Sequence, residues 1–270
     1  MNTPRVSIII AAYQAQGFIA AAVASACAQS LREIEIIVAP DESADYRFLA
    51  ALDPRVRVLD SVAAPTGPGP ARNRALAEAR GGFIALLDAD DLLSPNYLSS
   101  LLPLAEKSGA AFGRTRITDW AGRVVREVSA REEQVNFSDF ATAFASFHGV
   151  VRRTAGRAWQ SVLAEDVLFD LESLSLSGGH APFVAQAVYQ LRQRPHSVTR
   201  GDAFLQGIGP GYEKLITLVA AGGTAIDAAH RPAVIDVWRA WAAMNARFET
   251  AVAAGDTRDY QAFAAASSAD

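Results

Sequence analysis

The constraint that most limits this chain is the rhythm of short apolar runs through its first part. Val-Ser-Ile-Ile-Ile after Arg5, Glu35–Ala39, Val56–Leu59 and Phe83–Leu87 are strand-length and nearly free of charge. Runs of that kind suit strands buried on both faces of a parallel sheet. Between them Phe18–Gln29, Tyr46–Leu52 and Ala71–Arg80 carry helical spacing of apolar residues. Strands alternating with helices every 20–30 residues predict right-handed βαβ units, and hence an α/β chain with a mixed, mainly parallel sheet flanked by helices.

The pattern changes after Asp91. Pro95–Lys107 predicts a helix with Pro95 near its first turn. Ala111–Ile117 and Arg123–Val128 predict a hairpin turning at Asp119–Gly122. Phe137–Ala145 predicts a helix, Phe147–Val151 a strand, the stretch from Leu163 to about Leu176 a helix, and Phe183–Arg192 a strand. Residues 201–270 are Ala-rich, with helices expected near 211–221, 231–254 and 257–266. The division is a catalytic-type unit over 1–200, with a nucleotide-type half at 1–110 and a mixed half at 111–200, and a helical extension over 201–270.

The chemistry concentrates where the fourth strand ends, in Leu87-Asp-Ala-Asp-Asp91. Alternation along an extended chain would put Asp88 and Asp90 on one side, within reach of one small object. Two carboxylates there repel unless a cation or donors compensate them. Hard cations such as Mg2+ and Mn2+ take one or two carboxylates plus substrate phosphates. Strand carboxyl ends are also where open α/β sheets bind ligands. The plainer alternative is that Asp91 or Ser94 caps the next helix and the other acids are solvated.

Other features narrow the class. At 270 residues with 50% hydrophobic content, the chain can bury a core. A net charge of −4 argues against nucleic acid as a partner. Cys27 is the single cysteine, which excludes an intrachain disulfide and a Cys-rich zinc site. Gly67-Pro-Gly-Pro-Ala-Arg72 fails as a dinucleotide fingerprint. No strand feeds it, its third glycine is missing, and proline removes phosphate-cradling amides. No signal-peptide pattern opens the chain and Phe18–Ala28 is too short to span a bilayer, so a cytoplasmic protein is expected, with peripheral contact at the inner membrane face left open.

Four strand-end signatures then fall in order: Val-Ser-Ile-Ile-Ile-Ala-Ala-Tyr13, Glu35-Ile-Ile-Val-Ala-Pro-Asp-Glu-Ser43, Gly69-Pro-Ala-Arg-Asn73 and Leu86-Leu-Asp-Ala-Asp-Asp91. With Glu165-Asp166 downstream, residues 5–200 resemble glycosyltransferase family 2, whose members have the GT-A fold. The resemblance implies an inverting transfer of a sugar from a nucleotide-diphosphate sugar, a UDP-sugar being expected, to an acceptor hydroxyl. The implied setting is surface polysaccharide or glycoconjugate synthesis, and the implied acceptor a glycan, a lipid-linked molecule or a small molecule.

The same resemblance implies roles. Ala11, Ala12 and Tyr13 match the nucleobase edge, and Asp41 the carboxylate accepting from the base ring N–H. The family usually has Asp-Asp-Gly-Ser where this chain has Pro40-Asp-Glu-Ser43. Arg72 matches a residue reaching the nucleotide, Asp88 the ribose contact of the Asp-x-Asp motif and Asp90 the ligand of Mn2+ or Mg2+, with Asp88 beside it. Asp166 matches the general base, and Glu165 would hold the acceptor. Arg194 and Arg200 would grip the diphosphate, and His196 would be a further metal ligand. His148, His180 and His230 show no metal spacing and receive no role. The extension would dimerise, touch a membrane or cover the acceptor site. Two other readings stay open: a non-catalytic sugar-nucleotide or glycan-binding module on the same fold, and a sugar nucleotidyltransferase, against which stands the lack of Lys in Ala11–Gly17.

Overall fold

A computed structural model describes residues 3–194, 202–257 and 259–267. Its strands β1 (Val6–Ala12), β2 (Ile34–Pro40), β3 (Val56–Val58) and β4 (Phe83–Leu86) are parallel neighbours in the order β3-β2-β1-β4. The sheet continues through β9 (Gly149–Arg152), β6 (Ala110–Asp119), β10 (His180–Gln193) and β5 (Leu92–Leu93). Strand β9 runs antiparallel to both β4 and β6, whereas β6 and β10 are parallel. Strand β7 (Val124–Val128) forms the expected hairpin with β6, and β8 (Gln134–Asn136) pairs with β10. The sheet is therefore mixed, and its parallel character is concentrated in the N-terminal half.

Burial on both faces explains the apolar runs. Along β1, Ile8 and Ile10 join one core while Ile9 joins the other, as the two-residue repeat of a strand requires. All three are fully buried, worth roughly 1.5–3 kcal/mol each. Helices α1 (Ile19–Cys27) and α3 (Tyr97–Ser108) cover one face. The other is covered by α2 (Pro68–Ala77), α4 (Phe137–Ala143), α5 (Glu165–Leu176), α6 (Asp202–Ala220) and α7 (Arg231–Ala254). Tyr212, Trp238 and Trp241 pack into the same core as Phe140 and Leu168, so the C-terminal helices share a core with the second half of the sheet. A last helix, α8 (Tyr260–Ser267), is pinned to α7 by Phe248 against Tyr260 and Phe263.

Three departures from the sequence expectation have physical causes. Helix α2 begins at Pro68, within the stretch read as a loop. Its first turn tolerates Pro68 and Pro70 because amides there have no intrahelical partner. Gly67 precedes it at φ +97°, a conformation glycine adopts without strain. Helix α6 starts well before 211 and runs through Gly209-Pro-Gly211. Gly211 abuts Leu163 so closely that a Cβ would sit 2.7 Å from its Cδ2, so packing outweighs the local breaker signal. Finally, strands β5 and β8, of two and three residues, carry too few residues to show a period.

Candidate active site

The carboxyl ends of β1, β2 and β4 and the far end of β10 enclose a cavity of about 580 Å3. Ala11, Ala12, Tyr13 and Asp41 line it from the first two strands, Gly67 and Arg72 from the start of α2, and Asp88, Asp90 and Asp91 from the turn after β4. Arg192 and Gln193 close it from the end of β10, Arg194 from just beyond it, Phe18 from just before α1 and Gln261 from α8. Of the residues singled out from the sequence, Ala11, Ala12, Tyr13, Asp41, Arg72, Asp88, Asp90 and Arg194 share this cavity. His196 and Arg200 lie outside the described residues.

Residues 88–91 form a turn, not the extended segment from which Asp88 and Asp90 were placed on one side. The Asp91 amide donates to the Asp88 carbonyl at 3.1 Å. Strand β10 holds this turn. The Tyr189 hydroxyl accepts from the Asp88 amide at 3.0 Å and donates to the Asp91 carboxylate at 2.8 Å. Asp91 also accepts from the Arg192 amide at 2.8 Å, so it braces the turn and does not cap the following helix. Arg194 Nε donates to Asp90 Oδ2 at 2.6 Å while its guanidinium lies 4.6 Å from the Phe18 ring centre. Burial, then the Asp88 charge, raises the Asp90 carboxyl above its ordinary range, and burial pushes Asp91 well above.

Tyr189 was invisible as a site residue because its strand pattern also fits simple core packing. Its ring stacks on His148, the centroids 3.5 Å apart and the planes at 5°. His148 itself was given no role, yet it lies buried behind the turn at φ +49°, unusual for a side-chain-bearing residue. The Thr115 hydroxyl donates to the Ser146 carbonyl at 2.8 Å, which leaves it to accept from His148 Nδ1–H at 3.1 Å. Burial lowers this imidazole to about 4, so it is neutral at pH 7.

Arg72 and Asp41 are committed to protein partners. Arg72 is buried, donates to Asp88 Oδ1 at 2.7 Å, and bonds to Glu165 Oε1 through its other terminal nitrogen. It thereby joins the turn after β4 to the head of α5, rather than reaching only a ligand. Asp41 accepts from the Thr66 and Gly67 amides and the Thr66 hydroxyl at 2.6–3.0 Å, fixing the entry to α2. Glu42, next to it, accepts from the Gln14 amide and the Tyr46 hydroxyl, both at 2.6 Å. These bonds hold the Pro40–Ser43 turn rigid without the usual glycine.

At the head of α5 both acids are raised above ordinary carboxylates. Burial brings Glu165 to about 7 against the lowering pull of Arg72, and burial raises Asp166 against the same opposing charge. One turn further on, burial pushes Asp170 up to about 7, although the Ser146 hydroxyl donates to it at 2.7 Å.

Among the described residues no group of three or more His, Cys, Asp or Glu side chains is placed to hold a metal by itself. Asp88 and Asp90 nevertheless fit a hard divalent cation whose remaining ligands would come from a bound diphosphate, since both are oxygen donors lining the cavity, and burial together with the Asp88 charge raises Asp90. Mn2+ and Mg2+ both suit that donor set.

This mixed α/β sheet is shared with solved structures. The chain superposes on TarS of S. aureus in complex with UDP-GlcNAc at a TM-score of 0.60 and 18% identity, covering 86% of this chain and 70% of that one. It superposes on the mannosyltransferase PcManGT of Pyrobaculum calidifontis, in complex with GDP-Man and Mn2+, at 0.59 and 16%, covering 100% and 80%. The chain belongs to glycosyl transferase family 2, whose family model matches residues 7–163. It is 37% identical over 136 residues to the succinoglycan biosynthesis protein ExoO of Rhizobium meliloti, covering 48% of this chain and 39% of that protein. It is 36% identical over 115 residues to the UDP-Glc:alpha-D-GlcNAc-diphosphoundecaprenol beta-1,3-glucosyltransferase WfgD of Escherichia coli, covering 42% and 45%. Each of these two sequence matches spans less than half of the relative's length. Among the described residues no helix is long and apolar enough to cross a membrane.

Proposed function

We propose that this chain is a metal-dependent inverting glycosyltransferase that moves a sugar from a nucleotide-diphosphate sugar, a UDP-sugar in the first instance, to an acceptor hydroxyl. The observation that carries this reading is Arg72, which ties Asp88 at the donor turn to Glu165 at the head of α5. It sets a ligand cavity and a raised acid pair side by side. Relatives named for succinoglycan synthesis and for a diphosphoundecaprenol acceptor support a glycan or lipid-linked acceptor in surface-polysaccharide assembly.

In this reading Ala11, Ala12 and Tyr13 receive the base. Asp41 acts by holding the turn at Thr66–Gly67, and Asp88 meets the ribose. Asp90 and Asp88 would hold Mn2+ or Mg2+, which would supply Lewis-acid relief of the charge on the departing diphosphate. Arg194 exchanges its bond to Asp90 for the diphosphate. Glu165 is held by Arg72, so Asp166 is the acid left to accept the proton of the attacking hydroxyl. Burial raises its basicity toward that task. The acceptor oxygen forms its bond to the anomeric carbon as the bond to the diphosphate oxygen breaks. One base and no nucleophile give a single displacement with inversion, through a transition state like that of glycoside hydrolysis.

The test is transfer or slow hydrolysis from a UDP-sugar panel by wild type and Asp166→Asn. The expected outcome is nucleotide release by wild type, lost in the variant while UDP binding persists. Binding without release by wild type, across donors and acceptors, would favour the non-catalytic module.

A further inference from the structure

The C-terminal helix α8 contributes to the cavity in a way that the acids and arginines do not. Gln193, at the end of β10, is 6% exposed and lines the cavity. Its Nε2 donates to Asp259 Oδ1 at 3.3 Å. A carboxylate only accepts, so this bond fixes the amide with its NH2 towards α8 and its carbonyl on the other side. That carbonyl oxygen is buried and has no hydrogen-bond partner among the described residues. Gln261 reaches the same cavity from the first turn of α8, and its carbonyl oxygen is likewise buried and unpartnered. Asp259 organises both, because it also accepts from the Gln261 and Ala262 amides at 3.1 and 3.0 Å.

Buried acceptors without donors cost free energy unless a ligand or water supplies the donor. Neutral amide oxygens have no attraction for phosphate, which is itself an acceptor at neutral pH. The chemistry that suits them is a polyol, and a cavity of about 580 Å3 leaves room for more than a nucleotide base. We propose that the Gln193 and Gln261 carbonyls form the subsite that accepts from hydroxyl groups of the donor's sugar, with α8 completing the donor cavity. This deepens the donor-site reading above and rests on it. It gives the C-terminal extension a direct place in sugar selection.

The experiment is titration calorimetry with Mn2+ of UDP and of UDP-glucose, UDP-galactose and UDP-GlcNAc, on wild type, Gln193→Leu and Gln261→Ala. The expected result is a member of the panel that binds wild type more tightly than UDP. Each substitution should remove about tenfold of that gain while changing UDP affinity less than about twofold, as loss of one ligand hydrogen bond implies. Gln261→Ala, at a half-buried surface position, carries the test if Gln193→Leu fails to fold. Failure of UDP to bind wild type at all would strike the donor-site reading itself. UDP binding with no gain from any sugar, or a gain that both variants keep, would overturn the subsite alone.

Discussion

Two acid clusters face each other across Arg72, and they are compensated differently. The turn at Asp88–Asp91 is bound from several directions: Arg194 on Asp90, Tyr189 and the Arg192 amide on Asp91, and Arg72 on Asp88. At the head of α5, Arg72 bonds to Glu165 and main-chain amides of the helix start add to its opposing pull, yet burial raises both acids. In the proposed reading the difference separates binding from proton transfer. A braced, cation-countered turn is suited to hold a charged ligand in one geometry. A poorly countered, desolvated acid is suited to take a proton near neutral pH.

Substitutions can break the comparison at either end. Asp166→Asn should lower kcat by about 100- to 10,000-fold with the donor Kd little changed. Steady-state kinetics beside calorimetry would show a parallel loss of donor affinity if the two clusters are one functional unit. Arg72→Leu removes the cation common to both and leaves Asp88 and Glu165 without it. A buried pair broken on one side costs about 3–5 kcal/mol, so denaturant unfolding should show a loss of that order. A loss close to zero would mean that the bridge does not hold in solution.

Tyr189→Phe sharpens the account of the turn. It strips a donor from buried Asp91 and an acceptor from the Asp88 amide, at a cost of about 1–3 kcal/mol. Metal-dependent nucleotide affinity should fall with it, and an unchanged affinity would show that the brace does not set the turn. Asp170→Asn gives a smaller, pH-dependent effect. Asp170 is raised to about 7 in the folded chain from an ordinary 3.8. Its contribution to stability is therefore complete below pH 4 and is lost as pH rises through 7. The thermal midpoint of wild type should decline over that window more steeply than that of the variant. Equal slopes would place the titration elsewhere.

The first half of the chain was far more legible than the second, and the reason is physical. Residues 5–91 are local βαβ units, whose strands, buried on both faces, show as unbroken apolar runs. Asp88 and Asp90 were visible because charge next to such a run has few structural uses, whereas Glu165 and Asp166 were singled out only through the family resemblance. Their partners were not. Tyr189, His148 and Gln261 meet the site through β10, the residue before β9 and α8, whose placement depends on contacts roughly 40 to 100 residues apart in sequence. Asp41 showed the converse limit. It lines the cavity, but its oxygens are taken by Thr66 and Gly67, neither of which flags itself in the sequence.

The central claim is that the cavity binds a nucleoside diphosphate through a metal held at Asp90. The direct measurement is calorimetric titration of UDP, GDP and CDP into wild type and Asp90→Ala, with Mn2+ and then with EDTA. The account predicts binding of one nucleotide, UDP foremost, that requires Mn2+ and disappears in the variant. Binding that survives both EDTA and the substitution, or no binding of any of the three, would contradict it.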